Sequence, residues 1–258
     1  VEPRFGRLYA SVVLRPLAEQ VVTMLGVQPG EIVCDLMCDG GTLGVALGRA
    51  VGAQGRVVLV DTDAALLRRA AADVSESGAG VSAKGATGAR SPLPDSSCDR
   101  VVSLSTFGFW DGASLFDVAR RATRPTGRTA VLTWDAAAPL HEAALVDALH
   151  DVLGMTSPFM TRCLASPTSE TAEGWGAAPV HDVVRFDGIA TYWAAMVTER
   201  PLALELAHQG DDALRAVQAA CQRALAPCTA ADGTMRIPVH ATLYSPAPAS
   251  ADQEPAST

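Results

Sequence analysis

Two carboxylates and a glycine pair stand where a cofactor could be gripped. The run Glu31-Ile-Val-Cys-Asp-Leu-Met-Cys-Asp-Gly-Gly-Thr-Leu-Gly44 reads as a buried strand, a glycine-bearing turn and the start of a helix. Further on, Arg56-Val-Val-Leu-Val-Asp61 reads as a second buried strand ending in a carboxylate. A glycine turn before a helix brings backbone N–H groups close to a polar ligand end, and a carboxylate closing the next strand accepts hydrogen bonds from a ribose diol. The chemistry is that of holding an adenosine-containing cofactor at the edge of an α/β sheet.

The elements that must position this turn follow from periodicity. Leu8, Val12, Leu14, Leu17, Val21, Met24 and Leu25 fall at helical spacing, and Pro16 kinks or divides that helix. Thr42 to Val51 reads as the helix after the turn, and Val57 to Val60 as a strand buried on both faces. Asp63 can cap a helix carrying Leu66, Leu67, Ala70, Ala71 and Val74. A short strand is expected within 78–84, another over 99–105, a helix over 112–124 ended by Pro125-Thr-Gly127, and a strand over 129–134. Pro139 opens a helix that Gly154 closes. Alternation over 31–154 predicts a parallel sheet flanked by helices. Beyond it lie a strand over 179–186, a mostly helical stretch over 188–227 and a last strand over 235–244. The Pro/Ala/Ser-rich tail 246–258 is expected to be disordered.

Composition narrows the function classes. The 258 residues, 48% of them hydrophobic, suffice for one large α/β domain with an insertion. A formal net charge of −8 argues against tracking a nucleic-acid backbone, and Arg120, Arg121, Arg124 and Arg128 read as a solvated helix face. No run is expected to span a bilayer and no signal peptide opens the chain. The six cysteines form no C-x-x-C pair, so free thiols in a reducing cytoplasm are expected rather than a metal site. His141 and His150 read as solvated residues on a helix's polar face, His181 sits toward a sheet edge, and no histidine has the spacing of a metal ligand or general base.

Four segments in order resemble the class I S-adenosylmethionine-dependent methyltransferases, over about residues 4 to 245. They are Val33-Cys-Asp-Leu-Met-Cys-Asp-Gly-Gly41, Val58-Leu-Val-Asp61, Leu93-Pro-Asp-Ser-Ser-Cys-Asp-Arg-Val-Val-Ser103 and Arg121-Ala-Thr-Arg-Pro-Thr-Gly-Arg-Thr-Ala-Val131. Arg4-Phe-Gly-Arg-Leu-Tyr9 resembles the family's substrate-capping N-terminal helix. The resemblance is closest to the branch of ubiquinone/menaquinone-type C-methyltransferases and small-molecule methyltransferases. It implies a Rossmann-like, doubly wound, seven-stranded mixed sheet with an antiparallel last strand. The implied domain spans 1–245, with a capping helix in 1–27, the cofactor core in 31–154 and a helical lid inserted over 188–227. It implies S-adenosylmethionine as cofactor and methyl transfer to a small, fairly apolar acceptor, without nucleic acid, membrane or metal. Asp35, Met37, Asp39, Gly40, Gly41, Asp61, Thr62, Thr87 and Ser105 would meet the cofactor. Phe107 and Trp110, after the fourth strand, with Tyr9, Tyr192, Trp193 and Met196 from the two capping segments, would line the acceptor pocket.

The family's first motif usually reads acid-x-Gly-x-Gly-x-Gly, and here those positions are Asp35, Met37, Asp39 and Gly41. Met37 brings bulk beside the methionine moiety, and Asp39 brings a charge that attracts the cofactor's ammonium and repels its carboxylate. Thr87 stands by spacing where the family often has an acid for the adenine amine. These departures motivate an alternative, a methyltransferase-like binding protein that no longer methylates. A nicotinamide oxidoreductase is the weaker third reading, because Cys38-Asp-Gly-Gly-Thr-Leu-Gly44 does not supply G-x-G-x-x-G.

Overall fold

The computed structural model describes residues 6–87, 92–104, 107–110, 112–135 and 140–246. Seven strands build one sheet: β1 Ile32–Leu36, β2 Arg56–Asp61, β3 Gly80–Gly85, β4 Cys98–Leu104, β5 Thr123–Trp134, β6 Trp175–Phe186 and β7 Met235–Pro246. Their spatial order is β3-β2-β1-β4-β5-β7-β6. Strands β1 to β5 pair in parallel, and β7 lies antiparallel between β5 and β6. The doubly wound mixed sheet with a reversed last strand is therefore as expected. Strand order turns back between β1 and β4, and the crevice beyond the C-terminal ends of such strands is where open α/β sheets take ligands.

The sequence placed several strand ends too tightly. β5 begins at Thr123, ahead of Pro125-Thr-Gly127, because the ladder tolerates an irregularity there: Cys98 pairs with Thr123 and Arg100 with Arg128, so residues 124–127 loop out opposite Asp99. β6 begins at Trp175, whose ring meets Phe116 edge-on at 4.5 Å between centroids.

The N-terminal helix is divided as Pro16 requires. Helix α1 (Arg7–Tyr9) and helix α2 (Arg15–Leu25) flank a π-helical stretch, Ala10–Leu14. Pro16 stands in the first turn of α2, and the widened turn before it absorbs the hydrogen bond that proline cannot donate. Gly26, left-handed at φ 61°, ends the helix. By length (19 residues) and mean hydropathy (1.2), Arg7–Leu25 is long and apolar enough to cross a membrane, against the expectation that no run is. In the fold, Leu17, Ala18, Val21 and Leu25 bury its apolar stripe in the main core instead.

That core joins α2 to helix α3 (Thr42–Val51), helix α4 (Ala64–Ser75), and the inward side chains of β7. Asp63 caps α4 as its sequence position predicts, its Oδ1 accepting the N–H groups of Ala65 (2.7 Å) and Leu66 (3.1 Å). On the opposite face, helix α5 (Gly112–Ala122) packs Leu115, Phe116 and Ala119 against Cys34, Val101 and Val131. Helix α6 (Leu140–Leu153) follows β5, and helix α7 (Pro158–Cys163), which periodicity did not reveal, starts at Ser157 as N-cap. The stretch between β6 and β7 is helical as expected: helix α8 (Ile189–Trp193), a π-helical segment (Ala194–Thr198), helix α9 (Leu202–Glu205) and helix α10 (Asp211–Ala224). Pro139 and most of the expected tail, residues 247–258, lie outside the described residues.

Among the left-handed glycines described, Gly41 leaves the least room for a side chain. It is left-handed at φ +83°, and a Cβ there would stand 2.9 Å from Ala70 Cβ and 3.0 Å from Ala70 Cα on α4. Gly41→Ala is expected to lower unfolding stability by roughly 2–3 kcal/mol, the sum of left-handed strain and overpacking. Gly30→Ala, at φ +85° with nothing within 4 Å, should cost only about 1 kcal/mol. Urea unfolding of both variants measures the difference, and equal losses would refute the packing argument.

Candidate active site

The turn after β1 keeps a glycine-type backbone without the glycines. Met37, Asp39 and Gly41 have φ of 62°, 47° and 83°. An L residue with a side chain in the left-handed region costs on the order of 1–2 kcal/mol, less for aspartate, so Met37 and Asp39 are held there by their surroundings. Cys38 N–H donates to Val60 O at 3.0 Å, and Asp39 N–H donates to Asp61 Oδ2 at 3.0 Å. Asp61 Oδ1 accepts the Asp63 N–H at 3.0 Å, so one carboxylate ties the end of β2 both to the turn and to the approach of α4. Asp35 Oδ2 accepts the N–H of Gly44 at 2.8 Å, satisfying a first-turn donor of α3.

Three carboxyl groups thus lie buried together: Asp35, Asp39 and Asp61. Burial pushes the Asp35 carboxyl up to about 8, the Gly44 N–H opposes that rise, and the charges of Asp61 and Asp39 add to it. At neutral pH Asp35 therefore carries a proton. The backbone of this turn fits the methionine end of S-adenosylmethionine, since the left-handed positions are in place. Among the described residues, Leu14 and Leu104 with Asp35, Met37, Asp39 and Gly40 line a slot of about 10 Å³ beside it. Leu14 stands at the end of the π-helical stretch.

The other residues expected to meet the cofactor are scattered. Thr62 and Thr87 are exposed, beyond the ends of β2 and β3, and Ser105 lies outside the described residues. Phe107 opens a 3-10 turn, Phe107–Phe109. Trp110 is half-buried against the α5 side of the core, and its indole Nε1 is buried with no hydrogen-bond partner among the described residues.

The residues expected to line the acceptor pocket meet charges that the sequence did not single out. Arg200 Nη1 lies 3.2 Å from Glu142 Oε1 and 3.4 Å from Oε2, with both side chains fully buried. Tyr9 donates its hydroxyl to Glu142 Oε1 at 2.8 Å, and its oxygen lies 3.4 Å from His141 Nε2. The guanidinium also lies over the rings of Tyr9 (4.4 Å) and Phe159 (4.8 Å) and donates to Cys163 Sγ at 3.2 Å. Tyr192 donates to His141 O at 2.7 Å, and Met196 Sδ lies 3.9 Å from Arg200 Nη1. Tyr9, Tyr192 and Met196 therefore do come together from the two capping segments. Trp193 is only partly buried at the edge of the same core. The Phe107 side chain lies outside the described residues; Phe109 reaches Phe159, at 5.9 Å between ring centroids, and Arg162 Nε secures that turn through Gly108 O at 3.1 Å.

His141 is a correction: it is fully buried, not solvated, because the first turn of α6 runs beneath Tyr9 and against Trp134, whose ring centroid is 4.9 Å away. His150 is exposed as expected. Burial depresses the His141 pKa to about 4; Glu142 opposes the fall, and Arg200 and His240 add to it. Since the Tyr9 proton goes to Glu142, the Tyr9 oxygen is left to accept, which places the imidazole proton on Nε2. His141 Nδ1 then carries a lone pair, buried and without a hydrogen-bond partner among the described residues. Glu142 was masked because an acid in a helix's first turn is ordinary. Arg200 had one legible sign, its place one helical turn beyond Met196 on the same apolar stripe.

Removing one partner of the buried pair should cost far more than removing both. Arg200→Met or Glu142→Leu alone is expected to lose about 3–5 kcal/mol, and the double variant less than the sum by more than about 2 kcal/mol. Additive losses in chemical unfolding would contradict the pairing. Asp35 gives a pH test. Its folded pKa lies above its ordinary value of 3.8, so its contribution is full below about pH 4 and falls as pH rises to about 8, by up to about 1.4 kcal/mol per pH unit. Asp35→Asn should therefore gain on the parent protein between pH 4 and 8, and a constant difference in melting temperature across that range would refute a raised pKa.

Residues 33–127 match the family model of a methyltransferase domain. No curated protein matches this sequence. Among solved structures, the chain is similar to a protein from Bacillus halodurans assigned as a methyltransferase, with 13% identity and a TM-score of 0.56 over 88% of this chain and 96% of that one. It is similar to a protein from Anabaena variabilis assigned as a methyltransferase of an antibiotic biosynthesis pathway, with 14% identity and a TM-score of 0.57 over the same shares. It also resembles a SAM dependent methyltransferase from Aquifex aeolicus at 23% identity and a TM-score of 0.42, over 46% of this chain and 64% of that one. The chain thus has the Rossmann-like class I methyltransferase fold, with a methyltransferase-domain match over 33–127.

Proposed function

We propose that this protein transfers a methyl group from S-adenosylmethionine to a small, fairly apolar acceptor, within the branch that holds ubiquinone/menaquinone-type and other small-molecule methyltransferases. One observation carries the reading: the turn after β1 keeps left-handed backbone at Met37 and Asp39, where the family's glycines would stand. A turn freed from ligand binding would have relaxed from a conformation that costs free energy. The domain match and the fold support S-adenosylmethionine as the cofactor.

When bound, the cofactor supplies an electrophilic methyl group. The Asp39–Thr42 turn and the start of α3 would hold its methionine end, with Asp39 facing the ammonium. Asp61 would exchange one of its backbone hydrogen bonds for the ribose diol. Asp35, protonated and bonded to Gly44, keeps a third charge out of this pocket. On the acceptor side, the buried chain from Arg200 through Glu142 and Tyr9 orients His141 so that Nδ1 can accept a proton or hydrogen bond from the acceptor. The rings of Tyr9, Phe109 and Phe159 with Met196 exclude water, and catalysis rests on positioning. The partner is a small molecule rather than nucleic acid or membrane, in keeping with the net charge of −8. A reducing, cytoplasmic setting suits six free cysteines.

A second reading rests on the narrow slot and on Asp61 being wholly engaged: a binding protein whose cofactor turn has closed. Calorimetry with S-adenosylmethionine separates the two. The wild-type chain is expected to bind, and Asp39→Asn should weaken binding by about tenfold or more, because it removes the negative charge that faces the cofactor's ammonium. Failure of wild type at millimolar cofactor, with recovery in Met37→Gly/Asp39→Gly, establishes the closed turn. Failure of both removes the cofactor assignment.

A further inference from the structure

On the far side of the same turn, α1, α2, α3 and α4 enclose a cleft of about 420 Å³. It is lined by four arginines: Arg7, Arg15, Arg49 and Arg69. Among the described residues none of these guanidiniums makes a hydrogen bond, ion pair or ring contact, in contrast to Arg100, Arg121, Arg124 and Arg200, which all pair with acids. Two carboxylates, Glu19 and Asp73, also face the cleft, so cations outnumber anions two to one. Gly40, Gly41 and Thr42 form its floor, at the start of α3, whose N-cap residue Gly41 supplies no capping side chain. Gly40 and Thr42 line the cofactor slot as well, so the two spaces lie back to back across one turn.

We propose that this cleft binds a linear oligophosphate, free or as the tail of a nucleotide. The size falls within the range of small-ligand sites, about 300–1,000 Å³. Guanidinium forks match phosphate oxygens, and a helix start adds aligned N–H groups. The charges are spread: Thr42 and Arg49 lie about 10 Å apart along α3, and Arg7 and Arg15 roughly 12 Å apart along the N-terminal helix. One orthophosphate cannot meet both ends, whereas a chain of three phosphates can. The four arginines are apart from the residues assigned to cofactor and acceptor, although the cleft shares the Gly40–Thr42 turn with the cofactor slot.

Isothermal titration of the full chain with inorganic triphosphate tests this. Triphosphate should bind with affinity that falls as salt rises, and orthophosphate at least about tenfold more weakly. Arg49→Gln/Arg69→Gln and Arg7→Gln/Arg15→Gln should each weaken triphosphate binding by about tenfold or more while leaving S-adenosylmethionine binding and melting temperature unchanged. These arginines are exposed or half-buried and unpaired, so folding does not depend on them. ATP binding more tightly than triphosphate assigns the ligand to a nucleotide, and equal affinities assign it to the free chain; both support the site. The proposal is overturned by absence of triphosphate binding at millimolar concentration, by unaltered affinity in both double variants, or by a poly-glutamate peptide binding as tightly as triphosphate.

Discussion

The buried contact between Glu142 and Arg200 organises the packing of the N-terminal segment, α6, α7 and the stretch between β6 and β7. Two full charges out of water are tolerable only when geometry is good and the remaining donors and acceptors are met. Tyr9 supplies a hydroxyl, Cys163 a sulfur, and the rings of Tyr9 and Phe159 accept the guanidinium face. These groups come from α1, α6, α7 and the segment after the second π-helical stretch, so the pair fixes four separate pieces of chain against one another. Moving any one of them exposes an uncompensated charge. These four pieces are therefore held by a polar interaction inside an otherwise apolar core.

The turn after β1 shows a different balance. There, three carboxyl groups gather; the backbone N–H groups of Asp39 and Asp63 hold Asp61, and that of Gly44 holds Asp35. The cost appears as the proton retained by Asp35 and the left-handed backbone at Met37 and Asp39. Local strain of this kind persists where surroundings over-determine it. Here the surroundings are the parallel ladder on both sides of β1, the Val60–Cys38 bond and the packing of Gly41 on Ala70.

The fold was legible in the sequence because its signals are local. Continuous apolar runs mark β1 and β2, Asp63 caps α4, and Pro16 breaks the first helix where the π-helical turn now stands. The reversed β7 came from family resemblance, since no residue pattern states which strand it pairs with. Short helix α7 escaped because it rests on a tertiary contact, Glu205 accepting the N–H of Phe159, not on periodicity. The turn residues were legible by spacing. His141, Glu142 and Arg200 were not, because a charged side chain reads as solvated until the partner that neutralises it, far off in sequence, is known.

The placement of β7 bears on how the chain reaches this state during synthesis. β5 and β6 are both complete long before Met235–Pro246 is made, yet neither pairs with the other; each takes β7 as its neighbour. Until the last strand leaves the ribosome, the nascent sheet presents two open edges with unpaired backbone groups, the condition under which chains associate wrongly. The helical stretch 188–227 emerges in that interval and packs on α6, which has already been made. Its late position gives the growing chain a compact neighbour beside those edges before the closing strand arrives.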